Sequence, residues 1–190
     1  MNDYLRYYDL ERYLFEDVRL KFQEERSIDA FDLFSIVIWK SNRSKTKIAK
    51  LLAKRDPDLE TAARELTGAV AGAPGAEARL SVLMRDWGFQ LPMASAILAV
   101  LYPDEFTVYD TRVCGELGGF HKLATRTAGV WGEYVAYRDA VVLATPPGLC
   151  LRDRDRYLWG RSAAHQLERD VRSGFADYPS MRAARGVPDP

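Results

Sequence analysis

The chain has 190 residues, of which 47% are hydrophobic and 28% are charged, a composition typical of a soluble globular protein with one substantial core. Its 27 basic residues balance its 27 acidic residues, so the overall charge gives no reason to expect a polyanionic partner. The two cysteines, Cys114 and Cys150, are too few for a disulfide framework or a four-thiolate iron–sulfur cluster.

The sequence shows no sign of export or of membrane insertion. The stretch MNDYLRYYDLERYLFEDVRL at residues 1–20 mixes acids and bases and lacks the apolar core of a signal peptide. No stretch approaches the roughly 20 apolar residues that a membrane helix needs. We therefore expect a cytoplasmic protein, nucleoid-associated if it binds DNA, with no membrane partner.

Apolar residues recur mostly at helical spacing, and breakers fall where helices would end, which predicts an all-α fold. A first helix is predicted from about Asp3 to Glu24, with an apolar stripe of Leu5, Tyr8, Tyr13, Val18 and Phe22. Ser27 is the predicted N-cap of a second helix, whose FSIVIW run indicates burial on most sides. A third helix follows the polar break KSNRSK, and Asp56 before Pro57 predicts the start of a fourth.

The second half of the chain continues the helical pattern. Residues 77–87 form a short predicted helix that Gly88 can end in the left-handed conformation, and Pro92 suits the first turn of the next helix. Asp110 starts another helix, and two more follow it. We expect a compact multi-helix domain over residues 1–178 and a flexible tail over residues 179–190, which are rich in Pro, Arg and Gly.

The segment GFQLPMASAILAVLYPDEFTVYDTRV, residues 88–113, carries the most distinctive pattern. A tight turn after Gly88 directs free N–H groups of the following helix outward, and such groups attract phosphate. A short extended piece then delivers Asp110 to a helix start, where N–H groups orient a carboxylate and favour its charge. Asp110 is therefore either a simple helix cap or a carboxylate presented for chemistry, such as stabilising a cation or activating water.

This segment resembles the hairpin and catalytic-aspartate region of the helix-hairpin-helix DNA glycosylase superfamily. That family's pattern is broadly GVGxxxAxxIL, followed about a dozen residues later by D-x-x-V. Gly88 matches the first hairpin glycine, Asp110 the catalytic aspartate and Val113 the valine. The upstream DLFSIVIWKSNRSKTKIAKLL is similar to the family's early helix, polar loop and next helix, and the resemblance spans residues 28–160.

The resemblance implies a base-excision repair enzyme that hydrolyses the N-glycosidic bond of a damaged or modified base in duplex DNA, acting as a monomer. Asp110 is then the catalytic residue. The DNA-binding residues expected are Lys40, Ser41, Asn42, Arg43, Gly88, Phe89, Gln90 and Arg112. Because such an enzyme extrudes its target base, a base pocket is also expected, with Trp39, Tyr109 and Asp153 as its residues.

The sequence departs from the family pattern in ways that bear on chemistry. Gln90 replaces the second hairpin glycine, which alters how closely a phosphate can approach. Pro92 stands where lyase-active relatives carry their Schiff-base lysine, so the resemblance implies a monofunctional enzyme that does not nick the strand. His121 and His165 lack a second ligand at helical spacing, and we expect neither a metal nor another cofactor.

Residues 40–55 contain seven basic residues and no acidic one, although the whole chain is neutral. Such a stripe can follow a phosphate backbone, or it can simply be a solvated helix face. Two other functions stay open from the residues alone. One is a noncatalytic helix-hairpin-helix module that binds nucleic acid, and the other is an all-α protein-interaction domain whose basic stripe meets an acidic partner.

Overall fold

A computed structural model describes residues 4–126 and 129–175, and every regular element within these ranges is helical. The α-helices are α1 (Leu10–Tyr13), α2 (Arg19–Glu25), α3 (Ala30–Ser41), α4 (Lys45–Leu52), α5 (Leu59–Gly72), α6 (Ala76–Ser81), α7 (Leu91–Leu101), α8 (Thr111–Leu117), α9 (Val130–Leu143) and α10 (Leu151–Arg172). π-Helical stretches at Leu14–Val18 and Val82–Asp86 follow α1 and α6, and 3₁₀ turns lie at Tyr4–Tyr7, Asn42–Ser44 and His121–Thr125. The prediction of an all-α fold is confirmed.

The first predicted helix is wrong in its start and in part of its stripe. Leu5 and Tyr8 are 82% and 94% exposed, whereas Tyr13, Val18 and Phe22 belong to the core. The reason is Asp9, which caps α1 because its carboxylate accepts the Arg12 N–H. The 3₁₀ turn before Asp9 is therefore not part of α1, and its side chains do not continue the apolar stripe of the helix.

Two other helices begin two residues later than the sequence predicted. Asp29, not Ser27, caps α3 by accepting the Asp32 N–H at 2.8 Å. Asp58, not Asp56, caps α5 by accepting the Thr61 N–H at 3.1 Å. In both places a second oxygen-bearing side chain lies closer to the first free N–H groups of the helix.

Helix α7 lies in the core, and its residues from Met93 to Leu101 are all buried. Helix α3 packs against α7 and α5, and α10 packs against α8 and α9. After α7 the chain runs without regular structure through residues 102–110, of which residues 106–109 are buried. This arrangement brings the end of α3 and the first half of α10 to the same extended segment.

The remaining expectations concern the membrane and the tail. Within the described ranges, none of the helices combines the length and the apolar character that crossing a membrane requires. The predicted flexible tail, residues 179–190, lies outside the described residues.

Candidate functional site

Asp110 lies where the extended segment meets α8, and both of its carboxylate oxygens are engaged. Its backbone is extended, and Oδ1 accepts the Arg112 N–H at 2.9 Å, which confirms that Asp110 caps α8. Oδ2 accepts a hydrogen bond from Nζ of Lys40 at 2.6 Å. Because each oxygen has its own donor, the two hydrogen bonds fix the orientation of the carboxylate.

Lys40 belongs to the last turn of α3, and its position differs from the one expected of a phosphate contact. Its side chain is 13% exposed and that of Asp110 is 24% exposed, so the ion pair is partly removed from water. Because α3 packs on α7, the end of α3 meets the segment that carries Asp110. A partly buried carboxylate then needs a nearby cation, and Lys40 supplies it.

A cavity of about 460 Å³ opens beside this ion pair. A volume of this size suits a small organic group such as a nucleobase. The lining combines two tryptophans with charged groups and comes from widely separated parts of the chain. The lining residues are Glu11, Trp39, Lys40, Val108, Asp110, Val113, Arg152, Asp155, Arg156 and Trp159.

Trp39, which the sequence indicated as a pocket residue, forms one wall of this cavity. Its ring packs edge-on against Phe15 with the ring centres 5.7 Å apart. The guanidinium of Arg152 lies 5.1 Å from the centre of the Trp39 ring and 4.7 Å from that of Phe15. These contacts hold the indole in one orientation.

Trp159 forms a second, more exposed wall. Its side chain is 48% exposed, and the guanidinium of Arg112 lies 5.6 Å from its ring centre. Arg112 also donates to the side-chain oxygen of Gln166 at 2.7 Å. Arg112 is predicted to contact DNA, and the structure places it beside Trp159, two positions after Asp110 in the chain.

The face of α10 toward the cavity consists of Arg152, Asp155, Arg156 and Trp159, which follow the i, i+3, i+4, i+7 spacing of one helix side. Asp153, the acid predicted for the pocket, lies off this face. Its carboxylate accepts hydrogen bonds from Arg156 at 3.0 Å and from the thiol of Cys150 at 3.2 Å. Asp155 takes the place expected for Asp153, because it shares one face of α10 with Arg152, Arg156 and Trp159.

Tyr109, also predicted for the pocket, points into the core instead. It is fully buried, and its hydroxyl donates to the Phe120 carbonyl at 2.8 Å. Successive side chains of an extended segment point to opposite sides. Val108 and Asp110 face the cavity, so the residue between them must face away.

Charges across the cavity from Asp110 are joined into one network that the sequence did not reveal. Oε1 of Glu11 accepts a hydrogen bond from Arg152 at 2.5 Å and forms an ion pair with Arg156 at 3.2 Å. Arg152 also pairs with Asp155, and burial raises the pKa of Asp155. Glu11 and Arg152 are 141 positions apart in the chain, so local sequence patterns carry no signal of their contact.

The turn before α7 keeps only part of the predicted phosphate site. Gly88 has φ +76°, so the predicted left-handed conformation is confirmed. Gln90 is exposed, and its side-chain oxygen accepts a bond from Lys47 at 3.4 Å. Phe89 is buried and its N–H donates to the Leu83 carbonyl at 2.9 Å, so it offers a ligand neither a side chain nor a free N–H.

The start of α7 also has fewer free donors than the sequence indicated. Pro92 has no N–H, and the N–H of Met93 donates to the Gln90 carbonyl at 3.0 Å. Fewer N–H groups are therefore left to bind an anion at this helix end.

A row of unpaired cations covers α4 and the turns on either side of it. We call it the basic stripe, and it consists of Arg43, Lys45, Lys47, Lys50 and Lys54. All five side chains are exposed, and none forms an ion pair with a carboxylate in the described part of the chain. The bond from Lys47 to Gln90 joins the stripe to the turn before α7.

The two small polar residues expected to contact DNA lie between the cavity and the basic stripe. Asn42 is exposed in the 3₁₀ turn that connects α3 to α4. Ser41 is partly buried, and its hydroxyl accepts a bond from Ser44 at 3.0 Å. Lys40 precedes them directly, so residues 40–43 connect the lining of the cavity to the first residue of the basic stripe.

No family model, curated protein or solved structure matches the chain.

Proposed function

We propose that the protein is a DNA glycosylase-like enzyme of the helix-hairpin-helix type, which hydrolyses the bond between a damaged or modified base and its sugar. The observation that carries this proposal is the position of Asp110. Its oriented carboxylate borders a cavity of about 460 Å³ that has a tryptophan on two sides. Extrusion of a base into an aromatic-lined pocket is how enzymes reach a base that is stacked in a duplex.

Asp110 is suited to the charge that this reaction develops. As the base leaves, positive charge builds on the sugar, and a fixed carboxylate stabilises that charge without reorganising. Oδ1 and Oδ2 each make one hydrogen bond with the protein, to Arg112 and Lys40. A carboxylate has about four acceptor positions, so further ones can meet the sugar or orient a water molecule for attack on it.

The surface around the cavity supports a nucleic-acid substrate. Cations without a carboxylate partner are free to bind the phosphates of a nucleic acid. Such binding is favourable because it releases the counterions condensed on the nucleic acid. The basic stripe carries such cations from Arg43 to Lys54 and reaches Gln90 through Lys47. Lys40 pairs with Asp110, and Ser41 and Asn42 join it to the stripe. We therefore propose that a backbone bound along the stripe passes the mouth of the cavity.

The proposed product is an abasic site in an unbroken strand. Strand cleavage through an imine requires an amine with a free electron pair. Pro92 has none, and the amine of Lys40 is engaged in an ion pair with Asp110. Hydrolysis by water is therefore the reaction that the site supports.

The test is base release from a panel of duplex oligonucleotides, each with one damaged or modified base, read as strand breaks after alkali treatment. Wild-type protein should produce alkali-dependent breaks on at least one substrate, and Asp110→Asn should not. Asp153→Asn is the matched control, because it removes the same charge from a side chain off the cavity. Breaks of equal intensity with Asp110→Asn would refute the proposal.

The ion pair itself favours a second candidate function, a noncatalytic nucleic-acid-binding module. Asp110 caps α8, and its charge is balanced by Lys40 at 2.6 Å. Both features are also expected of a carboxylate whose role is purely structural. This candidate predicts salt-dependent DNA binding and no base release from any oligonucleotide of the panel.

A further inference from the structure

The extended segment of residues 106–110 has no neighbouring strand within the described residues, so its backbone groups need other partners. Side chains provide them. The N–H of Thr107 donates to the Tyr134 hydroxyl at 3.0 Å, and that hydroxyl donates to the Thr107 carbonyl at 2.7 Å. The N–H of Tyr109 donates to the hydroxyl of Ser95 at 2.9 Å.

Val108 and Asp110, the two residues of the segment that face the cavity, are held by Asp155 and Tyr137. The N–H of Val108 donates to Oδ2 of Asp155 at 3.0 Å. The hydroxyl of Tyr137 donates to the Val108 carbonyl at 3.0 Å and accepts the Asp110 N–H at 3.4 Å. Asp155 is 4% exposed and Tyr137 is fully buried, so water does not compete for these bonds.

Asp155 connects the segment to the wall of the cavity as well. Its Oδ1 pairs with Arg152, whose guanidinium lies over the Trp39 ring. Its Oδ2 accepts from the Thr107 hydroxyl at 3.2 Å in addition to the Val108 N–H. One buried carboxylate thus touches both the chain that carries Asp110 and the cation that packs on the aromatic wall.

We infer that Asp155 and Tyr137 are positioning residues for Asp110, an inference that rests on the proposed function of Asp110. Both oxygens of Asp155 are bound by protein donors, and the Tyr137 hydroxyl is bound to the backbone on both sides of Tyr109. Neither residue needs to contact the substrate. They act by holding the backbone of Val108 and Asp110, which sets where the reactive carboxylate lies relative to a bound base.

The size of the effect follows from how strongly catalysis depends on placement. A shift of a reacting group by about 1 Å can lower a rate by roughly a hundredfold. Substitution of either positioning residue should therefore slow base release strongly. The basic stripe is unchanged, so the affinity for DNA should be preserved. A residue with a merely structural role would lower stability without this separation of rate from affinity.

The experiment compares Asp155→Asn and Tyr137→Phe with two matched controls, all in the 190-residue chain. Asp153→Asn makes the same charge change off the cavity face, and Tyr157→Phe removes a hydroxyl from a half-exposed ring on the same helix. Two quantities are measured on an oligonucleotide that wild type cleaves, the single-turnover rate of base release and the DNA dissociation constant. Amide hydrogen exchange of residues 106–110 is followed in the free protein.

For both test variants we expect a rate loss of about tenfold to about a hundredfold, a dissociation constant within about threefold of wild type, and faster exchange of residues 106–110. Both controls should match wild type in all three readouts. Wild-type rates in both test variants would overturn the inference. If Asp155→Asn fails to fold, Tyr137→Phe decides, since it removes one oxygen and keeps the ring.

The activity of wild type separates failure of this inference from failure of the proposed function. If wild type releases no base from any oligonucleotide, the proposed function fails, and the exchange measurement then tests only whether Asp155 and Tyr137 hold the backbone of residues 106–110 in place. Faster exchange of residues 106–110 in the test variants would support it, and unchanged exchange would overturn it.

Discussion

The ammonium of Lys40 lies 2.6 Å from a carboxylate oxygen of Asp110, although the two residues are 70 positions apart in the chain. The pair borders the cavity, so any molecule bound there meets both groups. A lysine beside the reactive carboxylate raises the question of whether the amine itself attacks the sugar. We expect that it does not, because the amine of Lys40 is engaged in the ion pair with Asp110.

Borohydride trapping checks this expectation directly. Wild type incubated with a cleavable oligonucleotide and sodium borohydride should give no covalent protein–DNA complex, and strand breaks should appear only after alkali. A trapped complex that disappears in Lys40→Gln would contradict the expectation and would identify Lys40 as a nucleophile.

A second prediction concerns the wall of the cavity. Stacking of a base on an aromatic ring contributes about 1–3 kcal/mol, so Trp39→Leu should weaken binding of a damaged oligonucleotide by that amount. Binding of the undamaged duplex should stay as in wild type, because its bases remain stacked. Fluorescence anisotropy with both duplexes measures the difference.

Trp87→Leu is the control for this prediction. Trp87 lies outside the set of described residues that line the cavity, and it packs under the guanidinium of Arg55 at 5.4 Å. Equal weakening of damaged and undamaged duplex by Trp39→Leu would show that Trp39 does not hold an extruded base.

The sequence predicted the parts of this site that depend on local chemistry. An aspartate directly before a helical segment predicts an N-cap, and Asp110 is the N-cap of α8. Gly88 precedes a proline-started helix and adopts the left-handed conformation expected of it. The family resemblance predicts Asp153 in the pocket from the final helix, but the sequence does not fix the register of α10, and the structure turns Asp155 to the cavity instead.

What the sequence could not predict depends on contacts between distant elements. Glu11 reaches the cavity from α1 only because α1 packs near α10, and no pattern within either helix indicates this. The direction of Lys40 likewise follows from the packing of α3 on α7. The prediction of Tyr109 as a pocket residue is wrong for a simpler reason. Side chains alternate along an extended segment, so Tyr109 must point away from the cavity once Asp110 is known to face it.

The basic stripe yields a prediction about salt. Each phosphate contact changes the slope of log affinity against log salt concentration by about 0.9, so Lys50→Gln should make that slope less steep by this amount. Arg64→Gln is the control, because Arg64 lies on α5 and pairs with Glu25 and Glu60. An unchanged slope with Lys50→Gln would place the DNA elsewhere.

The buried carboxylate of Asp155 predicts how stability depends on pH. Burial raises its pKa above the ordinary value of 3.8, so the folded protein holds this proton more tightly than the unfolded chain. The free energy of unfolding of wild type, relative to Asp155→Asn, is then greatest below pH 3.8 and decreases as the pH rises through the raised pKa.

Urea unfolding of both proteins from about pH 3 to about pH 8 measures this difference. The opposite sign, a relative stability of wild type that grows with pH, would mean that the ion pair with Arg152 outweighs burial at Asp155.

The left-handed turn at Gly88 predicts a local loss of stability. An added Cβ would meet only Leu51 at 3.5 Å, so space is not the limit, but φ of +76° strains any L-residue. Gly88→Ala should lower the free energy of unfolding by about 1–2 kcal/mol. Gly68→Ala in α5, where an added Cβ meets nothing within 4 Å, should leave it unchanged or raise it.

The central claim is that the carboxylate of Asp110 acts in base release, and comparing Asp110→Asn with wild type in two measurements tests it most directly. The asparagine keeps an oxygen for the Arg112 N–H, so the start of α8 is preserved. We predict that the single-turnover rate falls by at least about a hundredfold while the DNA dissociation constant stays within about threefold of wild type. Base release at the wild-type rate, or a loss of binding as large as the loss of rate, would contradict it.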